Sequence, residues 1–194
     1  MKKALRSNEP RNDEETILSV QRWVKSFVVE LNLCPFAQYE MLNNRVRFAT
    51  TRAATEEQLL MSLQDELELL TSDPSVETTL LIHPNVLQDF YDYNQFLSYA
   101  DSLLLDMGLE GTYQLASFHP DYQFDGTNQD DAENYTNRSP HPVLHLIREA
   151  SLERAIAEHP DVDQIPARNV ALMNSLGHNK LQALFERLFK LPGA

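Results

Sequence analysis

The chain has 194 residues, 42% of them hydrophobic and 23% charged, ordinary for one soluble globular domain whose core needs no disulfides. Sixteen basic residues against 29 acidic ones leave a formal charge of −13, which repels phosphate backbones and argues against a nucleic-acid binder or a protein that docks on anionic membranes. The single cysteine excludes a disulfide framework within the chain and a Cys-rich zinc site.

Apolar runs such as Leu103-Leu104-Leu105 are far too short to span a bilayer. The basic start, Met1 to Ser7, is followed by polar Asn8 to Asp13 where a signal peptide needs its apolar region. Residues 1–12 therefore read as a flexible tail before a single domain over 13–194, and a cytoplasmic location is expected.

Asn12 or Asp13 is placed to cap a first helix, whose stripe of Ile17, Val20, Trp23, Val24, Phe27, Val28 and Leu31 has helical spacing. It ends near Leu33-Cys34-Pro35, because a residue before proline is driven from the helical region. Arg45 to Thr50 alternates like a short strand. Thr55 with Gln58 makes a capping pair for a helix that presents Leu59, Leu60, Leu63, Leu67 and Leu70 and stops at Asp73-Pro74. Thr78 to Ile82 is β-rich and apolar, a buried strand ending at His83-Pro84.

Asn85 can cap the next helix, which carries Phe90, Tyr93, Phe96, Leu97, Ala100, Leu103 and Leu104 and closes at Gly108. Tyr113 to Phe118 is a third strand, ending at His119-Pro120. Ser139 is placed to cap a further helix with Pro140 in its first position. Asn169 to Leu191 reads as two helices divided by Gly177, and Asp163-Gln164-Ile165 is a candidate edge strand. Strands alternating with long helices predict an α/β domain with a small, mostly parallel three- or four-stranded sheet flanked by helices.

In such sheets ligands bind outside the carboxyl ends of strands, which directs attention to His83 and His119. The polar stretch after His119, over 121–139, exceeds the ~12–15 residues beyond which structureless loops tend to be functional or disordered. It keeps Tyr122, Phe124 and Tyr135, so packing at its ends is expected. Its acidic residues do not follow calcium-loop spacing. At its end, Arg138 with Asn134, Thr136 and Asn137 precedes a predicted helix start, whose free N–H groups favour anions.

Along that helix His141, His145 and Glu149 share one face, with Arg148 beside it. Two chemistries fit. Histidines four apart on a helix can share a divalent metal, with His119 or Glu149 as a further ligand, although the chain lacks His-Glu-x-x-His. Alternatively His119, His141, His145 and Glu149 supply acid/base groups while Asn134, Asn137, Arg138 and Arg148 clamp a small anion. Cys34 has no second cysteine and no base nearby in sequence, and reads as a buried thiol. His159 and His178 read as surface residues.

Four runs resemble an uncharacterised bacterial family catalogued as domain of unknown function fourteen-fifteen: Leu33 to Ala37, Ala116 to Pro120, Asn134 to Pro140, and His145 to Glu149. The resemblance extends from about Trp23 to Ala171. It implies a stand-alone bacterial protein and carries no activity, cofactor or catalytic residue. The leading expectation is a cytoplasmic enzyme acting on a small anionic metabolite. The alternatives are a metal-dependent enzyme using His141 and His145, and a non-catalytic module that recruits a basic partner through its acidic surface and Tyr91, Tyr93 and Tyr99.

Overall fold

A computed structural model describes residues 13–158 and 161–189. The expected tail and His159 lie outside them. The described residues form a four-stranded sheet in the order β1-β2-β4-β3, with β1 Val46–Thr50, β2 Thr78–Ile82, β3 Tyr113–Phe118 and β4 Val143–Arg148. Helices cover both faces: α1 Asp13–Trp23, α2 Ala37–Leu42, α3 Glu56–Ser72, α4 Phe90–Asp106, α5 Glu149–Glu158, α6 Ile165–Leu176 and α7 His178–Phe189.

The α/β class and the first three strands are as expected, but the sheet is mixed rather than mostly parallel. β1 and β2 are parallel, whereas β4 runs antiparallel to both β2 and β3. This strand occupies the segment read above as a helix. Val143, Leu144 and Leu146 are buried, because β4 lies between two strands and has a packed layer on either face. A strand apolar on both faces has no alternation to separate it from a buried helix. The helix that follows starts at Glu149. The expected edge strand at 163–165 is a single 3-10 turn, Val162–Gln164, leading into α6. The helix after β2 is capped by Asp89, not Asn85: the Asp89 carboxylate accepts from the N–H groups of Tyr91 and Asp92.

One face of the sheet packs under α3 and α4. Leu59, Leu63, Leu67 and Leu70 of α3, and Tyr93, Phe96, Ala100 and Leu104 of α4, join Leu81, Leu144 and Leu146 in a continuous core. Each leucine removed from water there contributes about 1.5–3 kcal/mol. The other face presents Leu80, Ile82 and Val143 to Val20, Trp23, Val24 and Phe27, with Met173, Leu181 and Phe185 from the two last helices. The two faces differ in completeness, and the second one holds a cavity.

Candidate functional site

The polar loop is the first place to look. Asn134 is fully buried. Its Oδ1 accepts from the Phe124 N–H and the Thr127 hydroxyl, both at 2.9 Å, while its Nδ2 donates to Asn128 O at 2.8 Å. Arg138 donates through Nε to Tyr122 O at 3.3 Å and through a terminal nitrogen to Gln129 O at 2.5 Å. Its guanidinium also stacks 4.5 Å from the Tyr135 ring centroid. Asn137 donates to Ser117 O at 3.2 Å. Arg148 closes the end of α3, bonding the carbonyls of Leu70, Asp73 and Val76 and the Tyr113 hydroxyl. These four side chains are thus spent on main-chain groups that a loop cannot otherwise satisfy. The helix start expected after Arg138 is absent. Ser139 instead donates its hydroxyl to His141 O at 2.6 Å.

The histidines separate into two places. β2 and β3 run in the same direction, so His83 and His119 share one end of the sheet, and His141 stands there at the entrance to β4. The three are 0%, 0% and 6% exposed. Tyr93 lies between the first two, its ring centroid 5.6 Å from His83 and 5.1 Å from His119. The Tyr93 hydroxyl donates to Val143 O at 2.7 Å and accepts from the Phe118 N–H at 3.2 Å. It is therefore part of the core, and of the three tyrosines read as a docking surface only Tyr91 and Tyr99 are exposed.

His119 has both nitrogens engaged: Nδ1 accepts from the Asp121 N–H at 3.0 Å, which leaves Nε2 as donor to Leu87 O at 3.2 Å. His83 donates through Nδ1 to Val86 O at 3.1 Å, and its Nε2 has no partner among the described residues. Burial lowers the pKa of both rings, that of His83 to about 4. A neutral ring is what a dry aromatic cluster accommodates.

His145 is elsewhere, in the middle of β4 on the opposite sheet face. The rise of ~3.3 Å per residue along a strand carries it away from His141, so the pair cannot grip one ion as a helical pair would. Among the described residues no group of three or more His, Cys, Asp or Glu side chains is arranged to hold a metal ion. Glu149 sits at the start of α5, where its N–H donates to Thr112 O at 3.0 Å. His178, read as a surface residue, is partly buried against the Tyr135 ring at 5.8 Å.

His145 lines a cavity of about 290 Å³, at the small end of ligand pockets. The floor is the sheet, with Thr78, Leu80, Ala116, Phe118, His145 and Ile147; the walls come from the end of the first helix, α2 and α5. That first helix does not stop where α1 does. It widens into a π-helical segment, Val24–Val29, whose five-residue pattern includes Glu30 N–H to Lys25 O at 3.2 Å and Leu33 N–H to Val28 O at 2.9 Å. Such segments are rare and often accompany functional sites. Val24 and Val28 line the cavity, and Asn32 follows with φ of 53°, turning the chain so that Cys34 joins the wall.

The polar groups of this cavity contrast with its apolar lining. Trp23 is 2% exposed, and among the described residues its indole N–H has no hydrogen-bond partner. Glu77 pairs with Arg45 through Oε2, while its buried Oε1 has no partner among the same residues. The Thr78 hydroxyl donates its one proton to Leu146 O at 2.6 Å, so its 2.7 Å contact with His145 assigns the ring proton to Nε2 and the lone pair to Nδ1. Burial holds His145 neutral, with a pKa of about 4. The residue is half-buried and lines the cavity. Burial likewise raises the pKa of the Cys34 thiol, against a smaller opposing effect from the N–H groups of Phe36 and Ala37.

His145 and Arg148 are among the residues singled out in the sequence, and Trp23, Cys34 and Glu77 of the same lining are not. Trp23 passed as one more residue of a core stripe, and Cys34 as a buried thiol. Glu77 carried a usable signal: an acidic residue directly before a buried apolar strand has to find a partner. Three of the four runs that carry the family resemblance reach the cavity, through Cys34, Phe36 and Ala37, through Ala116 and Phe118, and through His145 and Ile147. No curated protein and no solved structure matches the chain. A family model described as "Protein of unknown function (DUF1415)" matches residues 15–183, and the chain belongs to that family.

Proposed function

We propose that this is a small-molecule-binding protein whose ligand occupies the sheet-face cavity. The observation that carries the reading is that residues lining the cavity, Trp23, Glu77 and Glu40, each bury a polar atom that finds no hydrogen-bond partner among the described residues. A buried polar atom without a partner costs about 1–3 kcal/mol, and a ligand that supplies the missing partners recovers that cost. The widened helix and the neutral, oriented His145 support the same place. The lone thiol suits a reducing, cytoplasmic setting.

Trp23 is the chain's single tryptophan, so its fluorescence reports occupancy directly. In a thermal-shift screen of small metabolites, ligands that raise Tm are expected to change Trp23 emission, and to lose at least tenfold in affinity in Ala116→Leu or Ala155→Leu. Ligands that bind without altering Trp23 emission, and indifferently to both variants, would contradict the reading.

Catalysis at the same place is a second reading, favoured by the His145 lone pair at Nδ1. It predicts that His145→Gln abolishes turnover of a cavity ligand while leaving its binding within about threefold, a loss smaller than that of one hydrogen bond. Equal turnover in wild type and variant would remove it.

A further inference from the structure

Resting on the cavity reading, we propose that the ligand is a protonated amine with an apolar body, its ammonium group seated at Glu77. Two carboxylates of the wall, Glu40 and Glu77, share one guanidinium. Arg45 Nε stands 3.5 Å from Glu40 Oε2, and an Arg45 terminal nitrogen bonds Glu77 Oε2. One positive charge thus answers two negative ones. Arg148, the other cation bordering the cavity, directs its guanidinium to the main-chain carbonyls at the end of α3.

The unpartnered acceptor has a defined location. Glu77 is 7% exposed, and among the described residues nothing donates a hydrogen bond to its Oε1 or to the buried Oε2 of Glu40. A carboxylate is acceptor-only, so what is missing is a donor. An ammonium N–H donating to Oε1 supplies the missing hydrogen bond in its charge-assisted form. Trp23, Phe36 and Phe118 stand in the same wall, and aromatic faces attract cations. A carboxylate or phosphate beside Oε1 would meet the carboxylates of Glu77 and Glu40, while among the described residues the nearby guanidiniums of Arg45 and Arg148 already donate to other groups. At longer range, the chain's charge of −13 concentrates cations around the molecule. The sign is the opposite of the one the sequence suggested.

The test is isothermal titration calorimetry of wild type with three probes of equal length, hexylamine, hexan-1-ol and hexanoate, at neutral pH, repeated on Glu77→Gln and Glu40→Gln. The expected order is hexylamine tighter than hexan-1-ol by about tenfold, the margin of a charge-assisted over a neutral hydrogen bond, with hexanoate weakest. Glu77→Gln should bring hexylamine down to the level of hexan-1-ol. Equal binding of amine and alcohol, tighter binding of hexanoate, or an amine advantage that survives Glu77→Gln overturns the ammonium assignment. Where hexan-1-ol still shifts Trp23 emission, such a result leaves the cavity standing. If none of the three binds and metabolite binders ignore Ala116→Leu and Ala155→Leu, cavity and ammonium fail together. Should Glu77→Gln not fold, the ranking of the probes on wild type decides alone.

Discussion

The loop over 121–139 and the cavity below β4 are opposites. The loop is crowded with amides, a guanidinium and hydroxyls, and the structure engages them: Asn134 makes three hydrogen bonds and Arg138 two, to groups within the loop. The cavity has few polar atoms, and among them Trp23 Nε1 and Glu77 Oε1 are unpaired despite burial. Density of polar side chains therefore does not measure how many remain available, since a donor already satisfied by a carbonyl has little left to offer a ligand.

Substitutions should separate the two regions. Asn134→Ala removes three part-buried hydrogen bonds and leaves the Phe124 N–H and Asn128 carbonyl of the loop without this partner. We expect destabilisation of about 3 kcal/mol in a urea melt, with unchanged affinity of the folded fraction for a cavity ligand. A loss of affinity beyond that explained by unfolding would return the site to the loop.

Acid should strike next. His83 is fully buried and has a pKa lowered from 6.5 to about 4. In the unfolded chain it binds a proton at higher pH than in the native state. Its contribution is therefore complete above about pH 6.5 and lost as pH falls towards 4, on the order of 3 kcal/mol. Denaturant melts between pH 7 and pH 4 should show a flatter decline in His83→Gln than in wild type, and parallel curves would refute the assignment. His145, lowered to about 4 by burial alone, contributes with the same sign.

Ala116→Leu should cost a cavity ligand at least tenfold in affinity while changing stability by less than about 1.5 kcal/mol, because the added carbons enter existing space. A large loss of stability in the ligand-free protein would mean that the space is not there. The smallest effect belongs to Cys34. With its thiol pKa raised by burial, iodoacetamide should label it more slowly than free cysteine at pH 7.5, and a cavity ligand should slow labelling further. Labelling as fast as free cysteine would place the thiol outside the cavity wall.

Much of the fold was legible in the chain. The leucine stripe at 59–70, the apolar strand at 78–82, the break at Pro35 and the turn at Gly177 each announce their element through period or punctuation. β4 did not, for Val143 to Ile147 is continuous apolar sequence broken by one histidine, and such a run fits helix and strand alike. That ambiguity also shaped the expected cluster, because a helix would have gathered His141, His145 and Glu149 on one face. The strand leaves His141 at the sheet's end and places His145 over the cavity. The carboxylates were illegible for a different reason: Glu40 and Arg45 are neighbours in the turn before β1, where the Arg45 N–H bonds Glu40 O, but Glu77 joins them only after β1 and β2 have paired. No local pattern marks the π-helical segment in Val24–Val29.

The most direct test is nuclear magnetic resonance titration of the labelled protein with a thermal-shift hit, following the Trp23 indole N–H against the Asn134 side-chain amide and the backbone of Gln129 and Arg138. Binding in the cavity predicts a saturating shift of the indole signal, with Ala116 and Phe118, while the loop resonances stay in place. Shifts confined to the loop, with the indole unmoved, would contradict it.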